Sequence, residues 1–368
     1  MNRRTFLTST AATVAAAHLP SLASRAAAQQ KEFAPRPAAW RTFEITTRVE
    51  VLKPAGVTRV WLPIPVVSGE YQRPLQNKWS GNAKAMQSLT EPKYGAAMLY
   101  AEFAEGEAAP VVELSSSFQT RDRALDWSQK AHAHEDPATL RAWIQPTDLM
   151  PTDGIVRETA TEITAGKTTD LDKVKAVYDW ILANTYREPK VRGCGIGDIK
   201  AMLETKNFGG KCADLNGLFV GLVRAAGVPA RDVYGIRVAP SAFGYRSLGA
   251  GSANVSRAQH CRAEVFLENY GWVAMDPADV AKAAREETSE WLKTDHPLIA
   301  PVRTRLFGGW EGNWLGFNLA HDVALPNSTQ GGNIGFLMYP QAETAEGRRD
   351  SLDPDAFKYT VTSRELRS

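Results

Sequence analysis

The period of the hydrophobic pattern changes twice along this chain, and that switching restricts it to a mixed architecture. Between about 40 and 120, Phe43, Ile45, Thr47, Val49 and Val51 alternate with Glu44, Thr46, Arg48 and Glu50. A period of two with one buried face is a strand signal. Val57 to Pro65 reads as a second strand, broken by Pro63 and Pro65. Ala97 to Ala104 and Val111 to Thr120 read as two more, with turns at Gly56, Gly69 and Gly106. From about 136 the period becomes helical. Asp136-Pro137 supplies a capping acid and a proline suited to the first helical position. Ile155 to Thr164, Leu171 to Asn184 and Lys211 to Ala226 read as helices; in the second, Val174, Val177, Tyr178 and Ile181 recur at i, i+3, i+4, i+7. Strands return at Asp232–Val238, Cys261–Leu267 and Trp272–Met275. The tail has strand-like pieces at Trp314–Leu319, Ile334–Tyr339 and Phe357–Thr362. The expected class is α+β: an N-terminal antiparallel β-sandwich module over 29–130, an α+β domain over 131–300, and C-terminal strands over 301–368 packing on that domain.

The first 28 residues stand apart from this pattern. Arg3-Arg4 precedes a weakly apolar stretch rich in Ala and Thr, and Ala26-Ala27-Ala28 ends it. That order is the order of a twin-arginine export signal, residues 1–28, with a small-residue cleavage site. It implies the twin-arginine export machinery as a partner, a periplasmic destination, and folding in a reducing cytosol without disulfides. The net charge is +2, and setting aside the positive charges of Arg3, Arg4 and Arg25 leaves −1. A near-neutral mature chain argues against nucleic acid as a partner. No run of about 18 residues is apolar enough to span a bilayer, so the chain reads as not an integral membrane protein. Three cysteines are too few for a disulfide-built scaffold.

One of those cysteines sits where a thiol is most easily ionised. Gly209-Gly210-Lys211-Cys212-Ala213-Asp214 precedes Leu215, Leu218, Phe219, Leu222 and Val223, one helical stripe closed by Gly227 and Pro229. Cys212 therefore begins a helix after a flexible Gly-Gly. There the helix dipole and free N–H groups favour thiolate and can hold an oxyanion. His260 heads the strand Cys261–Leu267, and Asp276 ends the strand Trp272–Met275. A thiol nucleophile needs an imidazole, and the imidazole needs a carboxylate to fix its tautomer. Pairing Leu267 with Trp272 puts Asp276 opposite Ala263, on the wrong face for His260. Pairing Phe266 with Trp272 makes Asp276 a diagonal neighbour of His260, roughly 7–8 Å away by backbone. The longer connection, or an equivalent bulge, is therefore expected.

These segments resemble the transglutaminase-like superfamily. The cysteine segment is Gly210–Asp214 with Arg224–Arg231, and His260–Leu267 and Gly271–Pro277 are similar to the histidine and aspartate segments. The helix around Tyr178–Ile181 and the strand Val60–Pro65 in a leading sandwich also fit. The resemblance implies a papain-like cysteine fold, with Cys212 as nucleophile, His260 as base and later acid, and Asp276 as the orienting residue. It implies acyl transfer at a peptide or protein amide through a Cys thioester, with hydrolysis favoured and amine-transferring crosslinking second. Cys261 and Arg262 follow His260 where many members carry a small residue and then Trp, which alters the cleft rather than the three residues. Cys212 and His260 are 48 residues apart, too close for an ordinary papain-like peptidase.

Other features have weaker claims. Asp214 reads as a first-turn acid satisfying helix N–H groups. Cys194 and Cys261 read as buried thiols, with a post-export pairing as the alternative. His132-Ala133-His134-Glu135-Asp136 could chelate zinc in a hydrolase, but Pro137 stands where another ligand is wanted. Gly193–Gly197 lacks the Lys-Ser/Thr of a phosphate loop, and no G-x-S-x-G elbow is present. Ala239 to Gln259 is long enough to serve as a lid or substrate loop. His321-Asp322 could border the cleft, and Tyr186 and Trp180 are candidate oxyanion donors. No cofactor is implied, and without an acidic loop calcium activation is not expected. A non-catalytic binding or assembly protein is the reading from a different class.

Overall fold

The structure is a computed structural model, and it describes residues 32–366. The expected export signal over 1–28 lies outside the described residues. The first third forms strands β1 (Arg41–Glu50), β2 (Thr58–Ile64), β3 (Gln72–Gly81), β4 (Ala85–Thr90), β5 (Ala97–Phe103) and β6 (Val111–Thr120), of which β3 and β4 lie where no strand was expected. In β1, Phe43, Ile45, Thr47 and Val49 are buried, and Phe43, Ile45 and Val49 meet Val60 and Leu62 of β2 and Leu99 and Phe103 of β5 in one core. Proline does not break β2. Pro63 pairs with Met98 of β5, while on the other side the neighbouring strand stops opposite Trp61. Pro63 thus has a strand on one side only, as a residue without an N–H requires.

The middle of the chain supplies the helices. A two-residue strand, β7 (Arg123–Ala124), leads to α1 (Pro137–Ala142), α2 (Gly154–Ile163) and α3 (Asp170–Asn184). Asp136 caps α1 by accepting from the Ala138 N–H at 3.1 Å. Next come β8 (Tyr186–Arg187), α4 (Ile199–Thr205), β9 (Gly209–Gly210) and α5 (Cys212–Ala225). Every residue of α5 is buried, so it is a central helix and not an amphipathic surface one. It lies against β10 (Ala230–Arg237) and β11 (Gln259–Leu267), which with β12 (Gly271–Met275) and β14 (Trp314–Asn318) form an antiparallel sheet in the order β12-β11-β10-β14. The helix α6 (Pro277–Glu286) follows β12, and β13 (Gly309–Trp310) pairs with β7. Phe266 pairs with Trp272 and Leu267 with Gly271, the register that the longer connection requires.

The tail, expected from 301 onward to pack on the α+β domain, is divided. β14 joins the sheet beneath α5. β15 (His321–Val323) and β16 (Ile334–Phe336) pair with each other. β17 (Gln341–Thr344), with β18 (Gly347–Arg348), extends β2 to give the sheet β18-β17-β2-β5-β4. β19 (Tyr359–Leu366) pairs with β1 to give β19-β1-β6-β3. Both sheets of the N-terminal sandwich are therefore completed by the last strands of the chain. Ile236 of β10 and Leu315 and Phe317 of β14 pack into the same core as the sandwich, and residues from Glu32 onward form one compact unit. Among the described residues, no helix is long and apolar enough to cross a membrane.

Candidate active site

Cys212 is the first residue of α5 and is 4% exposed. The turn that presents it is held by Asp214, whose carboxylate accepts from the N–H groups of Lys211 (2.9 Å), Ile196 (3.0 Å) and Gly197 (2.9 Å). Asp214 therefore ties the helix start to the loop at 193–197. Gly195 in that loop has φ +90°, and a Cβ there would lie 1.8 Å from Asp214 Oδ2, so only glycine fits. The preceding Gly-Gly is not a flexible hinge: it forms β9, paired in parallel with β8.

His260 is 3% exposed on β11. Its Nε2 lies 2.7 Å from Asp276 Oδ2 and 3.4 Å from Asp279 Oδ2. Asp276 sits one residue beyond β12 and caps α6, accepting from the Asp279 N–H at 3.1 Å. Asn216, one turn after Cys212, donates to Asp276 Oδ1 at 3.1 Å and to the Cys261 carbonyl at 2.9 Å, and it accepts from the Ala278 N–H at 3.1 Å. One amide thus joins α5, β11 and α6. The Trp314 indole donates to the His260 carbonyl at 2.8 Å. Cys212 and His260 line one cleft of about 410 Å³, together with Cys194, Lys211, Gln259 and Tyr339.

The charges around His260 set its protonation. Burial pushes its pKa down, but Asp279 and Asp276 outweigh this and raise it to about 9. Burial opposes the Cys212 thiolate, yet hydrogen bonds from Cys194, Cys261 and His260 draw its pKa well below the usual thiol value. Cys194 is pushed up by its hydrogen bond to Cys212 and by burial, and Cys261 by burial and then by the same neighbour. All three are free and buried. Both directions favour negative charge on Cys212 and positive charge on His260.

Asp279 and Arg237 escaped the sequence reading, and Arg262, singled out there only for following His260, contacts Asp276. Arg237 donates to Asp279 at 2.5 Å and to the Leu248 carbonyl at 2.6 Å. Arg262, under the Trp314 ring at 4.7 Å, has its Nε 3.5 Å from Asp276. His260, Asp276 and Asp279 offer ligand atoms within 4.8 Å of one another. The two guanidiniums already neutralise those carboxylates, so the donor set suits an imidazolium better than a dication. The Asp-Pro-Ala-Asp spacing at 276–279, an N-cap with a first-turn acid, was the available signal for Asp279.

Several expected contributors lie elsewhere. The His132–Asp136 residues have other roles: Glu135 accepts from the Trp272 indole at 2.7 Å, Asp136 caps α1, and His132 is exposed, 3.4 Å from Glu268. Among the described residues they form no cluster of three ligands. Tyr186 lies tilted against Trp291 in a neighbouring groove and Trp180 packs edge-on against Phe208. Neither lines the Cys212 cleft, whereas Tyr339 does. His321 is buried against Tyr234 (3.1 Å) and Asp232 (3.6 Å), away from that cleft. The segment 239–259 is built into the fold. Glu287 accepts from the N–H groups of Arg246 and Ser247, and Val255 donates to the Val361 carbonyl. Its residues from Gly249 onward form one wall of the cleft.

Residues 157–277 match the Transglutaminase-like superfamily. Over 341 residues the chain is 35% identical to an uncharacterized protein of Haemophilus influenzae, spanning 88% of this chain and 91% of that one. It is 24% identical over 244 residues to the uncharacterized protein YebA of Bacillus subtilis, spanning 63% of this chain and 30% of YebA. The crystal structure of a candidate cysteine protease from Cytophaga hutchinsonii shares the fold, with a TM-score of 0.54 at 12% identity over 91% of this chain and 94% of that one.

Proposed function

The chain belongs to the transglutaminase-like superfamily, and we propose that it is an exported cysteine enzyme acting on peptide or protein amides by acyl transfer, with Cys212, His260 and Asp276 as its catalytic residues. One observation carries this reading. Cys212 opens a buried helix in the same cleft as His260, and His260 Nε2 is 2.7 Å from Asp276.

The Cys212 thiolate attacks the amide carbonyl carbon and forms a C–S bond, leaving charge on the oxygen. The Ala213 N–H is committed to the Cys194 carbonyl at 2.8 Å, so the Cys212 N–H is the first-turn donor for that oxyanion. His260 gives its proton to the leaving nitrogen, the C–N bond breaks, and a thioester remains. Water then attacks the thioester carbon as His260 takes its proton. The C–S bond breaks and the acid leaves. An amine in place of water gives transfer. Hydrolysis is favoured because Arg3-Arg4 and Ala26-Ala27-Ala28 support action in a water-filled extracytoplasmic space.

The test is the pH dependence of Cys212 alkylation by iodoacetamide, with the site read by mass spectrometry. The expected rate levels off well below the free-thiol pKa of about 8.5, and His260→Ala moves the titration upward. If Cys212 titrates like a free thiol in both proteins, there is no thiolate–imidazolium pair and a non-catalytic binding role takes precedence.

A further inference from the structure

Besides His260, the cleft at Cys212 is lined by five Lys and Arg side chains, Arg187, Lys211, Arg237, Arg257 and Lys282, and among the described residues lining it there is no Asp or Glu. Three of the five are paired: Arg187 with Glu286 at 2.8 Å, Arg237 with Asp279 at 2.5 Å and Arg257 with Asp355 at 2.5 Å. Lys211 and Lys282 have no ion-pair partner among the described residues, and both are half-buried. The charges deeper in the site balance without them. The His260 imidazolium, Arg237 and Arg262 offset Asp276, Asp279 and the Cys212 thiolate. Two ammonium groups are thus held partly out of water without a direct ion pair, since Glu286, whose charge reaches both, is paired with Arg187, and Asp279, whose charge reaches Lys282, is paired with Arg237. Burial and the neighbouring arginines make that costly for the free protein, holding Lys211 below the usual lysine range and Lys282 at about 8. A fold keeps such groups when a ligand supplies the missing charge.

Resting on the acyl-transfer reading, we infer that Lys211 and Lys282 select an acyl donor carrying a free carboxylate close to the scissile amide. The carboxylate would meet two ammonium donors in charge-assisted hydrogen bonds. Its position would aim the carbonyl at Cys212.

Three small probes of nearly equal size separate the possibilities: N-acetylglutamate α-amide (side-chain acid), N-acetylglutamine (terminal acid) and N-acetylglutaminamide (neutral). Each is titrated against iodoacetamide alkylation of Cys212 at fixed ionic strength. At least one acid is expected to protect with an apparent affinity about tenfold or more above the neutral amide, and which acid does so identifies the source of the carboxylate. Lys211→Gln and Lys282→Gln should bring that ratio towards one, and Lys282→Arg should retain it. Equal protection by acid and amide, or none from any probe, overturns the inference, and so does a ratio that survives both Gln substitutions. Thioester formation by Cys212 with peptide thioesters as donors is followed separately. If it fails while the acids still protect, the acyl-transfer reading falls and the acid-binding cleft stands.

Discussion

Asp276 and Asp232 are both fully buried carboxylates, and burial pushes both pKa values up, but they differ in how their oxygens are satisfied. Asp276 receives His260, the Asn216 amide and the Asp279 N–H. Neither oxygen of Asp232 has a hydrogen-bond partner among the described residues. Burial raises the Asp232 pKa to about 7, with Arg224 only partly opposing. An acid whose folded pKa lies above its unfolded value binds more protons folded than unfolded, so stability falls as pH rises from about 4 through 7. Asp232→Asn removes that dependence. It should stabilise the protein at pH 8 by up to about 4 kcal/mol relative to its effect at pH 4, read by urea denaturation at both values. An equal effect at both pH values would show that Asp232 stays ionised. At this scale the sequence was legible where one residue type carried a local signal, as Cys212 did ahead of an apolar helix. Arg237 and Asp279 were illegible because their meaning lies in a contact across 42 positions.

The helix start around Cys212 is one element assembled from two, since Asp214 bonds both its own cap and the loop at 193–197. Gly195→Ala would place a methyl on the Asp214 carboxylate in a backbone conformation hostile to L side chains. It is expected to cost about 2–4 kcal/mol and to move the Cys212 alkylation titration, whereas an effect on stability alone would show that the loop does not position the thiol. The strands that the alternation missed have a common cause. β3 (QRPLQNKWSG) and β4 (AMQSLT) are edge strands with mostly exposed or half-buried residues on both faces, so no period-two burial is written into them. α6 was missed because its buried face is alanine beside Lys282 and Arg285, which reads as weakly apolar. The β11–β12 register was legible because only one pairing brings Asp276 towards His260.

Across the whole molecule, the antiparallel sandwich was visible in β1, β2, β5 and β6 but its closure was not. β17 and β19 are contributed from the opposite end of the chain, and no local pattern specifies a partner that distant. β19 also braces the cleft, since the Val361 N–H donates to Ser256 and the Val361 carbonyl accepts from Val255. Deleting residues 359–366 should therefore abolish cooperative thermal unfolding and Cys212 protection together. A truncated chain that still melts sharply, with its thiol shielded, would show that the last strand is dispensable. The pairing of β1 with β19 has a consequence for the life of the nascent chain. Arg41 and Glu365 meet across 324 positions, so at about 5–20 residues per second the first strand waits roughly 15–65 s for its neighbour to be made. Its edge is an open template for aggregation throughout that interval. That sheet can close only once β19 has been made, so one side of the first strand stays unpartnered through the synthesis of everything that lies between the two.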